Sequence, residues 1–348
     1  MIDKVVTFGE IMLRLKSPRN ERFFQSPMLE ATFGGGEANV AVSLAQFGLA
    51  VSYVTALPPN PISEACLAYL KGKGVDVTQV ISCGERMGIY YYEAGANQKP
   101  SRVIYDRAHS AIIDARPDAF DWKKILIDAS WFHITGITPA LSASSAEISC
   151  EAMKTAREMG IRVSIDYNFR KNLWKYGRSA PEVMTNLVRL ADIGIANEED
   201  CQYALGISVK SSDWQKEVNN AQLDIEKYRQ LCQKVLLSYP NLKYQAITLR
   251  SSYSADCNGW AACLYNGDKF LVSKQYEITD VIDRVGTGDA FAAGLIYGMI
   301  NGMPDQDTLE FAVAASCLKH SIPGDINLSS AEEVHQLIIE GGSGRIKR

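Results

Sequence analysis

Two hydrophobic rhythms alternate along the chain. Short runs rich in β-branched and aromatic residues recur over 5–9, 51–57, 131–136, 162–168, 193–197 and 244–249, and each predicts a strand. Between them, apolar residues return every three or four positions, which predicts helices over 37–47, 63–71, 144–159, 181–190 and 224–237. The last third reads as helix over 289–300, 306–319 and 331–339. Apolar strands separated by amphipathic helices suit a mostly parallel sheet covered on both faces, so the pattern predicts an α/β fold.

Two stretches break the rhythm. MGIYYYEAG (87–95) and SRVIYDRA (101–108) are tyrosine-rich runs joined by a polar turn, which predicts a hairpin outside the main sheet, placed to act as a lid. GISVKSSDWQKEVNNAQ (206–222) is polar and poorly periodic and reads as a surface insertion; GGSGRIKR (341–348) reads as a disordered tail. With no internal repeat and no shift in composition that marks a linker, residues 1–340 are expected to form one unit.

Composition narrows the functional classes. Hydrophobic content of 47% and charged content of 22% fit a soluble globular protein. Thirty-six basic against forty acidic side chains leave a formal charge of −4, so electrostatics argue for a small-molecule partner, not nucleic acid or a membrane surface. The opening MIDKVVTFGEIML turns polar at Arg14 and is too short and too charged for a signal peptide, which predicts a cytoplasmic protein. Eight cysteines without a C-x-x-C pair read as reduced thiols, and four histidines without ligand spacing give no basis for zinc catalysis.

Candidate chemistry centres on RVGTGDAFAAGLIYG (284–298). Gly286 and Gly288 before an alanine-rich helix suit an anion, because backbone N–H groups and the positive end of the helix dipole converge there. An acid at the mouth of such a loop, Asp289, would repel a resident anion. The conflict disappears if the anion is a phosphoryl group in transit and Asp289 takes the proton of the hydroxyl that attacks it. A carboxylate near a helix N-terminus is expected to stay ionised at neutral pH. Taken alone, two glycines before a helix read equally as a structural turn. No G-x-x-x-x-G-K-[ST] is present, and Phe291 stands where G-x-G-x-x-G needs its third glycine, which disfavours a dinucleotide site.

A second glycine cluster, FGGGEANVAVSLAQFG (33–48), also runs into a helix. The two clusters together resemble the signature regions of the ribokinase-like (PfkB) carbohydrate kinases: Gly35, Gly36 and Asn39 as G-G-x-x-N, and Asp283, Gly286, Gly288 and Asp289 as D-x-x-G-x-G-D. The resemblance spans essentially the whole chain. It implies a three-layer α/β/α sandwich with a small β lid drawn from about 10–35 and 86–110, and an ATP-dependent kinase. Asp289 would be the base, and the amides of Gly286, Thr287 and Gly288 the anion hole. Thr287 stands where the family usually carries alanine, a change the backbone tolerates. The family's N-x-x-E falls on Asn197 and Asp200, with Glu199 beside it, and either acid could serve the magnesium and phosphate network; the same residues also read as a helix N-cap. Asp283 could ligate a monovalent cation such as K+ or simply tie its own loop.

Substrate choice is expected in the lid and opposite the first glycine cluster. DYNFRKNLW (166–174) brings Arg170 to the end of a strand, where a guanidinium can clamp a carboxylate. Tyr90, Tyr105 and Arg107 come from the lid. These, with Asp325 in PGDIN, resemble 2-keto-3-deoxygluconate kinases, which implies phosphorylation of that sugar acid at its 6-hydroxyl. Arg170 and Arg107 would hold the carboxylate end, the tyrosines would line the pocket, Asn39 would contact substrate, and Gly34 and Gly35 would let it approach the backbone. D-x-N-x-R also occurs in fructokinase-like relatives, so a neutral-sugar kinase is the alternative, and a silent sugar-acid sensor is one of another class. Lid packing in relatives implies a homodimer or higher assembly.

Overall fold

A computed structural model describes residues 3–197, 199–209 and 225–341. Most of the expected insertion and nearly all of the tail lie outside the described residues. The central sheet runs in spatial order Phe270–Val272, Asn258–Tyr265, Tyr244–Ser252, Ile193–Ala196, Arg162–Asp166, Ala129–Thr135, Lys4–Phe8 and Ala50–Val54, with Tyr276–Ile278 also paired to Asn258–Tyr265. From Tyr244–Ser252 to Ala50–Val54 every pairing is parallel, and the added strands are antiparallel. The six expected strands form that parallel array. The antiparallel extension was not expected: its last two strands hold three residues each, too few to show a period. The run expected over 51–57 is divided, since Ala56–Leu57 leaves the sheet to pair with Ile81–Ser82.

Strand alternation splits the core in two. Val6, Phe8, Phe132 and Ile134 point to one apolar layer and Val5, Trp131, Ile193 and Ile195 to the other. The first layer packs under Ala143–Glu158, Ala180–Val188 and Ile225–Ser238; the second under Gly36–Gln46, Thr287–Ile300 and Asp305–Lys319. Local chemistry sets the helix starts. Pro61–Lys71 opens at Asn60, whose side chain accepts from Ser63 N at 3.0 Å, and Ser179 with Glu182 caps Ala180–Val188. These helices begin one or two residues before the expected 63 and 181, because proline is tolerated in the first turn.

A separate four-stranded sheet has the order Glu30–Gly34, Met12–Lys16, Gly88–Glu93, Arg102–Asp106. Its second hairpin matches the expected one, with Tyr90 directly opposite Tyr105 and ring centroids 6.0 Å apart. Arg14 lies beside Tyr90 in the parallel pairing of the middle strands.

Candidate active site

A cavity of about 390 Å³ lies between this small sheet and the carboxyl ends of the central strands, which reach it through Asp166 and Ala196. Nearly every site residue expected from sequence lines it; Asp283 stands behind the wall.

At one end, Gly286 caps the Thr287–Ile300 helix with φ +81°. A β-carbon there would lie 1.8 Å from the main-chain oxygen of Asp325, so conformation and space both demand glycine. The Gly288 amide faces the start of the helix, where no preceding turn can accept it. The Thr287 amide instead reaches the Arg284 carbonyl at 3.5 Å, and its hydroxyl bonds the same oxygen at 3.0 Å. Asp289 follows in the first turn, 9% exposed, and accepts from Asn39 Nδ2 at 2.7 Å. Burial pushes its carboxyl up to about 6, against the lowering effects of the Asn39 bond and of Arg170 and Lys319. Lost solvation thus outweighs the helix dipole, yet the value stays below neutrality, in keeping with the expected ionised carboxylate. Asp289 still carries its charge at neutral pH.

Asp200 also faces the cavity, whereas Glu199 does not line it. Asp200 accepts the amides of Phe169 and Asn197, both at 2.9 Å, and Asn197 Oδ1 accepts those of Glu199 and Asp200. This is a reciprocal cap, so the helix-start reading and a place at the cavity hold together. Asp166, whose role sequence reasoning missed, completes an acidic wall. Burial raises its carboxyl well above the usual range, and Asp200 and Asp289 add repulsion. Arg170 is exposed, donates to the Phe169 carbonyl at 3.0 Å, and lowers all three carboxyls.

Arg107, Tyr105, Tyr90 and Glu10 also line the cavity, with Tyr90 and Tyr105 on the small sheet. Arg107 stacks over Tyr105 at 4.3 Å, and its Nη1 lies 3.3 Å from Glu10 Oε2 without hydrogen-bond alignment. Its buried Nε and Nη1 have no acceptor among the described residues. Glu37, a second acid not singled out from sequence, accepts from Thr135 N, Thr135 Oγ1 and Thr138 Oγ1; burial raises it to about 7.

Several expectations gain detail. A β-carbon at Gly34 would meet Asp325 Oδ2 at 2.0 Å, and one at Gly35 would meet the Glu10 carbonyl at 2.0 Å. These glycines make room for the protein's own atoms, and both also line the cavity, where substrate was expected to approach the backbone. Tyr90 OH donates to Asp325, 2.6 Å from both carboxylate oxygens, so the two residues face each other as much as the cavity. Asp283 accepts from Arg14 Nη2 at 2.5 Å and from the amides of Val285 and Gly324 at 3.1 and 3.2 Å, so it ties its own loop, one of the two roles expected for it, and faces a guanidinium.

Residues 2–332 match the model of the pfkB family of carbohydrate kinases. The chain belongs to that family, and its site is built for phosphoryl transfer to a sugar hydroxyl. It is similar to 2-dehydro-3-deoxygluconokinase from Thermotoga maritima, a crystal structure 45% identical in sequence, with TM-score 0.90 over 97% of this chain and 99% of that one. It is also 30% identical over 358 residues to 2-dehydro-3-deoxygalactonokinase from Haloferax volcanii, with both chains fully covered. A 2-dehydro-3-deoxygluconokinase from Bacillus subtilis is 26% identical over 346 residues, 95% of this chain and 97% of its own.

Proposed function

We propose that the protein transfers the terminal phosphoryl group of ATP to the 6-hydroxyl of 2-keto-3-deoxygluconate (2-dehydro-3-deoxygluconate). The observation that carries the substrate is Arg107. Its buried Nε has no acceptor among the described residues and its Nη1 meets Glu10 without hydrogen-bond alignment, so the guanidinium can take a substrate carboxylate with charge that a neutral ketose lacks. Tyr105 and Tyr90 line the same cavity, and Arg170 adds positive charge near the acidic wall. The relatives' names support a 3-deoxy sugar acid and divide on the configuration at C4.

In this reading Asp289 receives the proton of the 6-hydroxyl, held in orientation by Asn39. Gly286 and Gly288 amides, with Thr287 between them, face the charge that develops on the phosphoryl oxygens. Arg250 and Arg284 line the same cavity and give the nucleotide phosphates their countercharge.

Magnesium fits the acidic wall: Asp166, Asp200 and Asp289 line one cavity, and the repulsion that Asp200 and Asp289 exert on the buried Asp166 is what a divalent cation would relieve. No cage of three or more ligating side chains forms among the described residues, as suits an ion that arrives with the nucleotide and keeps its waters. Bound there, it would neutralise phosphate charge. Residues 1–340 would act as one unit, in the cytoplasm, and as a homodimer or larger assembly.

Coupled ADP release with magnesium-ATP tests the proposal, with 2-keto-3-deoxygluconate, its C4 epimer and fructose offered in parallel to wild type and Arg107→Ala. Turnover on a sugar acid that collapses with Arg107→Ala is expected. Preference for fructose would overturn the substrate and leave the kinase standing.

A further inference from the structure

Behind the phosphate-side loop lies a quartet of buried charges: Arg14, Lys319, Asp283 and Asp325, each no more than 4% exposed. They come from four separate places. Arg14 belongs to the small-sheet strand Met12–Lys16, Lys319 ends the Asp305–Lys319 helix, Asp283 precedes the glycine loop, and Asp325 follows it in space. The Arg14 guanidinium forks, with Nη2 on Asp283 at 2.5 Å and Nη1 on Asp325, and it stacks over Tyr92 at 4.6 Å. Asp283 also receives the Val285 amide, one residue before Gly286, and the main-chain oxygen of Asp325 fills the space beside Gly286. Lys319 Nζ bonds the Ile322 carbonyl at 3.1 Å and stands within the field of both acids. Arg14 itself does not line the cavity.

We propose that Arg14 is a positioning residue for phosphoryl transfer, a resident cation that clamps the small sheet to the glycine loop and preorganises the anion hole without a bound monovalent ion. Charge balance is the first support. Two carboxylates face two cationic side chains, so the cluster is neutral without a further ion, and an ion on Asp283 would have to displace the guanidinium. Geometry is the second. A planar fork holds two carboxylates on different loops through separate, rigidly spaced nitrogens, a spacing that the single nitrogen of an ammonium does not reproduce. Because one of those carboxylates takes the amide beside Gly286 and the other's backbone abuts Gly286, moving Arg14 moves the loop that must meet the phosphoryl oxygens.

The inference rests on the phosphotransfer reading, and the experiment separates the two. The full-length protein is assayed for kcat and both KM values in chloride salts of K+, Na+ and tetramethylammonium, on whichever sugar the wild type turns over. Arg14→Lys and Arg14→Ala follow, the latter with and without added guanidinium ion. Wild-type kcat is expected to agree within about twofold across the salts. Arg14→Lys should lose at least about tenfold in kcat while each KM stays within about threefold, a split that general destabilisation would not produce. Guanidinium should recover part of the Arg14→Ala loss; if that variant does not fold, the salt series and Arg14→Lys decide alone. A severalfold activation of wild type by K+, or wild-type kcat in Arg14→Lys, overturns the proposal. A wild type inactive on every sugar overturns the phosphotransfer reading and this inference with it.

Discussion

Replacing Asp289 by asparagine separates the chemistry of this residue from its cost to the fold. The carboxyl rises from an ordinary 3.8 to about 6, chiefly through burial. At 1.36 kcal/mol per tenfold change, that corresponds to roughly 3 kcal/mol by which folding disfavours the charged form. The sign follows from linkage: a raised acid costs nothing below about pH 4, where it is protonated folded or unfolded, and costs its full amount above about pH 6. Asparagine keeps the shape and carries no charge. Asp289→Asn should therefore be more stable than wild type by about 1–3 kcal/mol at pH 7.5, and the gap should close toward pH 4. Urea unfolding of both proteins across that range measures the difference, and effects common to both cancel. Turnover should fall by about 10²–10⁴, the usual contribution of a positioned base, with little change in sugar KM. Wild-type kcat should decline about tenfold per pH unit below about 6. A variant less stable than wild type at pH 7.5, or a gap indifferent to pH, would refute the burial argument; undiminished turnover would remove Asp289 from the chemistry.

Three further outcomes are expected. Gly286→Ala places a β-carbon against the Asp325 carbonyl at φ +81°, so it should lose about 1–3 kcal/mol of stability and at least about tenfold in kcat; a silent variant would mean the loop is free to move. Tyr90→Phe leaves Asp325 without its hydroxyl donor and should cost about 1–3 kcal/mol in urea unfolding, and an unchanged midpoint would show that the carboxylate finds another donor. Asp200→Asn can keep only one of the two amides that its carboxylate accepts and removes charge from the acidic wall, so half-saturation by magnesium should rise several-fold with the sugar KM unchanged, as an ADP-release titration would register.

Legibility in the sequence tracked the range of the forces involved. The parallel array and its helices were readable because strand and helix periods are local, and the glycine loop was readable because backbone conformation is local too. The quartet behind the loop was not. Arg14 lies 269 positions from Asp283 and 311 from Asp325, so nothing near it announces a partner. In the amino-terminal run it even marks the point where the pattern turns polar, which reads as exposure, although the residue is 1% exposed. Asp166 was passed over for a related reason: as the last residue of a buried strand it looks like an ordinary strand end, and only the convergence of Asp200 and Asp289 makes it part of a site. The glycines at 34 and 35 show the converse. Their need for space was legible, but one beneficiary was not, because the atoms their missing β-carbons admit belong to Asp325 and Glu10, both distant in sequence. A kinase site on this fold is thus written in two layers, a local one that shapes the loops and a distant one of buried charges that holds them still, and only the first can be read along the chain.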